Sequence, residues 1–562
     1  MTRSDHPLLR APDTSTFLDV LAHFTAVEPS KPAFTFLANG KDETDTVTYG
    51  ELSAQAMALA EHLGTMAPRG SRALLLYDTG LDFIRAFLGC CYAGVIAVPL
   101  KPPMSMTEAG ATFRIAGDCK PSVVFADPRL RPALEAQRIP QILVDPSDAP
   151  AVPSAGWRPP AVAPEDCAFL QYTSGTTGTP KGVIVTHGNL MANEKTILSA
   201  FGNDEEDVGV AWLPLFHDMG CVGKVLQTLC MGGHTVLFPP MTFIKRPALW
   251  LQVISRYGGT ISGGPNFAYQ LCLDRVKDEQ LSGVDLSSWR VAFCGAEPVS
   301  ARTIRRFADR FAPFGFDPRA LYPTYGMAEA TLFVSGNDHL TGFRTQVVAN
   351  DEGEADREIV GCGRPRDDET VRIVEPDSKR LCAEGETGEI WVAGANISPG
   401  YWERPEQSAE RFDQRLPGED HAFFRTGDLG FVQDGELYVN GRISDLIIIH
   451  GKNYYPQDIE QTVEEHFGLV RKHGTLAFSV QSENDEGLVV MAELPSAVAE
   501  SADFTTLGRQ VRAIVSREHG LAVRRVVFLP SRSLLKTTSG KIRRSQCRQH
   551  YEQRRFEAYA TH

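Results

Sequence analysis

The sequence lacks the marks of a secreted, membrane or metal-stapled protein. Its eleven cysteines are scattered, with no Cys-x-x-Cys pair and no His/Cys cluster at zinc spacing. An odd count without a framework points to reduced thiols in a cytosol and excludes a disulfide scaffold. Met1 to Asp19 carries acidic residues and two prolines and lacks an apolar run, so it reads as no secretory signal. The longest apolar stretch, Phe83 to Leu100, is interrupted by Arg85, Gly89, Gly94 and Pro99. It predicts a buried helix followed by a strand, not a membrane span. Basic residues are in deficit, 56 Lys and Arg against 70 Asp and Glu, a net charge of −14. That argues against a general nucleic-acid binder, because phosphate neutralisation needs clustered basic residues. A cytoplasmic chain is expected, with no nucleic-acid partner and no integral membrane segment. No internal repeat or low-complexity tract stands out.

At 562 residues the chain is too long for one core, so two or more domains are expected. Apolar content of 43% and charged content of 22% are ordinary globular values. Leu52, Ala56, Leu59 and Leu63 share one helical face and predict a helix over Tyr49 to Leu63. Strands follow at Ala73 to Tyr77, Ile96 to Leu100, Ser122 to Ala126 and Gln141 to Val144, with a helix over Leu81 to Tyr92. After a Pro/Ala-rich connection over Asp145 to Glu165 the alternation resumes. Further strands are expected at Val208 to Trp212, Thr235 to Phe238, Arg290 to Cys294 and Ala320 to Tyr322. Such alternation implies α/β architecture with a mostly parallel sheet. From about Ile359 the strands shorten (Glu389 to Val392, Phe431 to Val432, Leu437 to Val439), which suits a small β-rich subdomain. Beyond Arg442 a piece of about 120 residues is large enough to be a domain of its own.

One stretch organises the rest: Phe169-Leu-Gln-Tyr-Thr-Ser-Gly-Thr-Thr-Gly-Thr-Pro-Lys-Gly-Val-Ile-Val-Thr-His-Gly-Asn-Leu190. An apolar strand breaks into glycines and hydroxyls, recovers β character at Val183 to Val185, and enters a helix at His187. Gly175, Gly178 and Gly182 let backbone approach a ligand closely. Thr173, Ser174, Thr176 and Thr177 add hydroxyl donors, and Lys181 adds a positive charge, which is how a phosphate chain is held. The order Lys181-Gly182-Val183 is not the Gly-Lys-Ser/Thr ending of a Walker loop. The stretch resembles the phosphate loop of the adenylate-forming superfamily: acyl- and aryl-CoA synthetases, peptide-synthetase adenylation domains, luciferase and fatty acyl-AMP ligases.

Further motifs stand in family order. Trp212-Leu-Pro-Leu-Phe-His-Asp-Met-Gly220 and Ser262-Gly-Gly-Pro-Asn-Phe267 resemble segments of fatty acyl-AMP ligases. By that resemblance His217, Asp218 and Met219 sit where the fatty carboxylate meets ATP, with His217 among the catalytic group. Ser262, Gly263, Gly264, Pro265, Asn266 and Phe267 would wall the acyl pocket. Phe293-Cys-Gly-Ala-Glu-Pro298 ends a predicted strand, where ligands of open α/β folds bind, and the resemblance puts Gly295, Ala296 and Glu297 against adenine. Tyr322-Pro-Thr-Tyr-Gly-Met-Ala-Glu-Ala-Thr331 offers the Tyr325 ring for a purine and Glu329 as a hard oxygen ligand for Mg²⁺. Gly326, Met327 and Ala328 are nucleotide candidates beside it, and Thr173 would help hold the metal. Asp428, in Arg425-Thr-Gly-Asp-Leu-Gly430, matches the carboxylate that accepts from two ribose hydroxyls, a role suited to an acceptor-only group.

The segment Asn440 to Glu460 resembles the superfamily's hinge, with Arg442 as a ribose or phosphate contact. Ser444 stands at the hinge position, usually Lys or Asp. Leu534-Leu-Lys-Thr-Thr-Ser-Gly-Lys-Ile-Arg543 matches the loop whose lysine, here Lys541, bridges the acid and the α-phosphate. The resemblance implies a large AMP-binding domain over 1–441 with a small β-barrel-like subdomain, hinged to a small mobile α/β domain over 442–562. It also implies the reaction R-COO⁻ + ATP → R-CO-AMP + PPi on a medium- to long-chain fatty acid, with ATP and Mg²⁺ as cofactors. The acyl group would pass to the phosphopantetheine thiol of a separate acyl carrier protein. An insertion in the large domain is associated with refusal of CoA in that family, and Asn337 to Ile359 is the candidate region here. A fatty acyl-CoA ligase and a catalytically inactive adenylate-binding protein stay open as alternatives. Between Arg524 and Arg555 there are ten basic residues and one acidic, read either as a solvated helix face or as a docking surface for an acidic carrier.

Overall fold

The computed structural model describes residues 15–103, 106–130, 132, 134, 142–173, 180–348, 357–366, 369–449, 452–471, 473–482, 485–536 and 542–562. Two large sheets carry about the first two-thirds of the chain. The six-stranded sheet runs in the order Ile142–Val144, Val123–Ala126, Arg72–Leu76, Ile96–Pro99, Cys167–Thr173, Lys181–Thr186. It is parallel except for its last pair, which is antiparallel. The nine-stranded sheet has six parallel strands at its centre, from Leu321–Gly326 through Val291–Cys294, Ile261–Gly264, Val208–Ala211 and His234–Leu237 to Pro32–Phe36. Antiparallel strands finish both edges.

The expected strands and helices fall where the periodicity puts them, with most ends moved by one to three residues. Two run further: Phe431 to Val432 is the end of a strand that starts at Phe424, and Ala320 to Tyr322 continues as Leu321–Gly326 and so carries Tyr325 inside the strand. Central strands such as Arg72–Leu76 are buried almost end to end, as strands covered by helices on both faces must be. One apolar core joins both sheets, with Phe34, Leu75, Phe87, Phe169 and Val183 all fully buried in it.

The β-rich region is an antiparallel sheet of Thr370–Val374, Gly388–Ala393, Phe424–Gln433 and Glu436–Arg442. The antiparallel pair Thr345–Val348 and Arg357–Val360 is joined to it by a Gly361–Tyr438 bridge. The last 120 residues form a further α/β unit with a four-stranded mixed sheet. Its apolar clusters begin at Ile447, whereas those of the preceding sheets end at Tyr438. No described helix is long and apolar enough to cross a membrane.

Candidate active site

The phosphate-loop strands form a hairpin in which Thr173 and Lys181 stand opposite each other. Ser174, Gly175, Thr176, Thr177 and Gly178, nominated for the phosphates, lie outside the described residues. The helix His187–Phe201 starts behind the hairpin because Thr186 and Asn189 form a reciprocal cap, the Thr186 hydroxyl accepting the Asn189 N–H at 3.1 Å. A strap that the motifs did not single out closes over the hairpin. Ile184 N–H donates to Gly400 O at 3.0 Å and Trp402 N–H to Gly182 O at 2.7 Å. The strap delivers Tyr401, whose hydroxyl donates to Glu329 Oε1 at 3.0 Å, while Lys181 Nζ sits 5.0 Å above its ring. Burial lowers the Lys181 pKa, with Arg411 adding to that and Glu329 opposing it. Burial raises the pKa of Glu329, against the pull of the Tyr401 hydrogen bond. The Ser398-Pro-Gly-Tyr401 turn was the available sequence signal for this strap.

Two neighbouring parallel strands present the nucleotide candidates at their carboxyl ends, Cys294 pairing with Pro323. Beyond Cys294, Gly295 packs so close to Thr324 that a Cβ there would lie 2.8 Å from its carbonyl oxygen. Ala296 takes a left-handed φ of +67°, and Glu297 accepts the Phe267 N–H at 2.7 Å. Next door Tyr325, 9% exposed, donates its hydroxyl to Asp428 Oδ2 at 2.8 Å. Asp428 is also cross-strand partner of Arg442, whose Nε reaches Oδ1 at 2.9 Å. Gly326 is obligatory where it stands, because a Cβ would fall 1.8 Å from Leu332 O. Met327 and Ala328 lead from it into the turn that carries Glu329.

Beneath the Asp428 turn lies Glu389, fully buried and also missed by the motif reading. It accepts from Gly427 N at 3.1 Å, from Arg425 Nε at 2.9 Å and from Trp391 Nε1 at 3.0 Å. It thereby fixes the backbone that aims Asp428.

The acid-side candidates come together around Trp212. His217 caps the turn Asp218–Gly220 and its Nδ1 lies 2.5 Å from Asp218 Oδ1. Met219 is 8% exposed and packs in the same apolar cluster as Trp212 and Phe293. Gly264 gives room to Trp212, since a Cβ would meet its ring at 2.6 Å, and Gly263 lies against Phe293. Phe267 approaches Trp212 edge-on at 6.0 Å. Pro265 caps the helix Asn266–Arg275, and Asn266 ties it to the segment after the Gly295–Glu297 turn by accepting the Ser300 N–H at 3.1 Å. Ser262 faces elsewhere: its hydroxyl donates to Val210 O at 2.6 Å and accepts the Trp250 indole at 2.7 Å inside the core.

Ser444 is exposed in the short turn Ile443–Asp445. Lys541 lies outside the described residues, but its flanks Lys536 and Ile542 bridge each other. Burial lowers the Lys536 pKa, with Glu493 the first charge opposing it. In the basic stretch, Arg544 is 12% exposed and locked onto Glu460, and Arg548 pairs with Glu552 at 3.0 Å.

A family model described as AMP-binding enzyme matches residues 21–402. The chain belongs to the AMP-binding enzyme family. A second model, Disco-interacting protein 2-like, AMP domain, matches residues 444–561 of this AMP-binding enzyme. It is similar, at 40% identity, to a medium-chain-fatty-acid–[acyl-carrier-protein] ligase of Moorena producens, over 96% of this chain and 95% of that one. It is 37% identical to a long-chain-fatty-acid–AMP ligase of Mycobacterium marinum, over 93% and 95% of the two chains. A solved fatty acyl-adenylate ligase from Legionella pneumophila, in complex with acyl adenylate and pyrophosphate, superposes with a TM-score of 0.76 at 37% identity, covering 99% and 98%. The resemblance to fatty acyl-AMP ligases read from the motifs is borne out by these relatives.

Proposed function

We propose that this enzyme activates a medium- to long-chain fatty acid as its acyl adenylate and passes the acyl group to a carrier-protein thiol. The observation that carries the reading is the meeting of Lys181 and Glu329 at Tyr401, and of Tyr325 and Arg442 at Asp428, in a chain so similar to ligases named for that reaction. In the first step the carboxylate oxygen attacks the α-phosphorus in line, and the bond to pyrophosphate breaks. The protein's part is positioning and charge neutralisation. Asp428 accepts from the ribose hydroxyls, Tyr325 and the turn Gly295-Ala296-Glu297 hold adenine, and Lys181 with its hairpin holds the phosphates. In the second step a thiol attacks the acyl carbon and AMP leaves.

The donor set fits Mg²⁺. Among the described residues no group of three or more His, Cys, Asp or Glu could hold a metal, and Glu329 offers one carboxylate beside the phosphate hairpin. Mg²⁺ uses one or two carboxylates plus phosphate oxygens, not a protein cage. Glu329 and Thr173 would hold it, and when bound it neutralises phosphate charge. We read a large domain over 1–441 and a small one over 442–562 that turns about Ser444; the division is supported by the parting of the fully buried apolar residues between Tyr438 and Ile447.

A panel of acids offered with ATP, then with CoA or a phosphopantetheinylated carrier, with products identified by mass, tests the reading. A best acid that is an amino acid, or a flat preference from short to long chains, overturns it. A CoA thioester as the sole product makes the enzyme a fatty acyl-CoA ligase. Absence of pyrophosphate exchange with every acid leaves an inactive adenylate binder. Lys541→Ala should lower pyrophosphate release by about 10²–10³-fold, the scale for one electrostatic stabiliser. Thioester formation from supplied acyl-AMP should stay within a few-fold, and equal loss in both steps would sink the rotating-domain account.

A further inference from the structure

Between the two halves of the nucleotide end stands a cation that the motifs did not nominate, Arg411. It lies in the last turn of the helix Pro405–Phe412, which follows the strap that carries Tyr401. Strap and helix are tied together. Ser408 Oγ accepts the Tyr401 N–H at 2.9 Å and donates to Arg404 O at 2.7 Å. The Phe412 ring packs edge-on against Tyr401 at 5.1 Å and lies 4.5 Å from the Phe424 ring. The strap is pinned in turn at Glu329, whose backbone oxygen accepts the Ser398 N–H at 2.9 Å. Arg411 is therefore next in the chain to a ring that packs on Tyr401, the residue at which Lys181 and Glu329 meet.

On its other side Arg411 lies against the Asp428 turn. Gly427 has a left-handed φ of +74°, and a Cβ there would fall 3.1 Å from Arg411 Nη2 and 3.4 Å from Nη1. The guanidinium, 33% exposed, thus occupies the space that a side chain at 427 would need. A guanidinium carries five donors, yet among the described residues Arg411 makes no hydrogen bond, and its ion pair with Glu389 Oε1 is long at 3.9 Å. Both Glu389 oxygens are already engaged, Oε1 by the Gly427 N–H and Oε2 by Arg425 and Trp391. Arg442, by contrast, is committed to Asp428. Like charges also crowd here, since burial lowers the Lys181 pKa first and the charge of Arg411 next. Two cations held together disfavour each other until an anion neutralises both.

We propose that Arg411 is a further phosphate-binding residue, whose fork donates to the phosphate joined directly to the ribose of a nucleotide. The place fits that phosphate, with Asp428 on one side and Lys181 on the other. Two parallel N–H groups match two phosphate oxygens. The inference rests on reading Asp428 and Lys181 as nucleotide contacts. Calorimetric titration of the full chain with adenosine and with AMP, without magnesium, tests it. Arg411→Gln should weaken AMP by ~10-fold or more, the scale of a hydrogen bond to a charged group, and leave adenosine within about two-fold. Arg411→Lys keeps the charge but loses the fork, so its affinity for AMP should fall between the two. Unchanged AMP affinity in Arg411→Gln overturns the inference. Equal losses for AMP and adenosine overturn it too, because Arg411 would then only support the Asp428 turn. Equal AMP affinity in the two variants does the same, since the charge would contribute nothing. Should Arg411→Gln not fold, an Arg411→Lys variant that binds AMP like the wild type overturns it. A wild type that binds neither ligand overturns the nucleotide reading itself, which shows before any variant is made.

Discussion

The two ends of the site treat charge in opposite ways. At the nucleotide end the carboxylates are already satisfied by protein: Asp428 by Tyr325 and Arg442, Glu329 by Tyr401, Glu389 by Arg425, Trp391 and the Gly427 amide. Behind the acid-side candidates, buried Lys224 has one long bond to Ile261 O and the face of the Phe293 ring, while buried Gln227 and the Trp212 indole have no hydrogen-bond partner. Deeper still, Glu194 is fully buried with neither carboxylate oxygen partnered, and burial holds its pKa well above the usual range. A nucleotide of fixed shape rewards groups locked in place beforehand, because orientation is then settled before binding.

The largest expected effect tests the locked end. Asp428→Ala removes the proposed acceptor for the ribose and leaves the Tyr325 hydroxyl and the Arg442 guanidinium without this partner. Arg442 is half-exposed in that pair, so the loss is chiefly that of the charged acceptor. A hydrogen bond to a charged group contributes about 1.5–3 kcal/mol. With two ribose hydroxyls unmet, kcat/KM for ATP in pyrophosphate release should fall by at least about 10²-fold. Tyr325→Phe added to that variant should cost little more, since coupled residues are not additive. A loss within ten-fold for Asp428→Ala would mean that the pairing is structural and the ribose is held elsewhere.

Glu389→Gln should act one step removed. The amide keeps an acceptor for the Gly427 N–H but strips Arg425 of its countercharge, so the turn loosens without losing Asp428 itself. KM for ATP should rise by roughly ten-fold with a smaller change in kcat, because the defect lies in holding the nucleotide and not in the chemistry. A fall in kcat alone would place Glu389 in the chemical step and contradict its role beneath the turn.

How much of this contrast the sequence displays depends on the kind of residue. Strands and helices of the α/β layers were legible because apolar periodicity records burial directly, and the nucleotide motifs were legible because glycines and short polar strings leave a distinctive pattern. Glu389 and Tyr401 were not, since their partners arrive from strands and straps far along the chain: Tyr401 meets Glu329 across 72 residues. Lys224 looks like any helix lysine until the π turn Cys221–Leu226 places it inside. The basic stretch near the C-terminus shows the reverse failure. Arg544 counts as surface charge in the sequence, yet it is locked onto Glu460 in the interior, so reversing it would unfold the region before it tested carrier docking.

A pH experiment sharpens the comparison at the acid end. The unfolded chain keeps Lys224 charged up to its ordinary value of 10.5, while the folded protein holds that proton only up to about 7. Between those values unfolding takes up a proton, so the lysine's cost to stability is full below the lower value and fades as pH rises through the upper one. The thermal midpoint of Lys224→Met should therefore exceed that of the wild type near neutral pH, and the gap should close as the solution is made alkaline. Asp207 and Glu194 are common to both proteins and cancel in the difference. A gap that does not change with pH would show that the amine is fully paired in the folded state.

The smallest expected effect concerns backbone, not charge, and asks whether the locked end carries strain. Ala296 sits in the adenine turn at φ +67°, a region where a Cβ crowds the following carbonyl at a cost of roughly 1–2 kcal/mol. Nothing in the side chain repays this, since alanine has no hydrogen-bonding group. Glycine at this position would relieve the clash but would also give the unfolded chain more freedom, which returns about 0.5–1 kcal/mol of the gain. Ala296→Gly should thus raise the thermal midpoint slightly, by about 1–2 °C in so large a chain. The same freedom should let the turn leave the adenine, so KM for ATP should increase a few-fold while the preference among acids stays unchanged. Stability and nucleotide binding would then move in opposite directions for one methyl group. A variant that is less stable, or one whose nucleotide affinity improves, would show that the left-handed turn is not strained and that its shape owes nothing to the nucleotide.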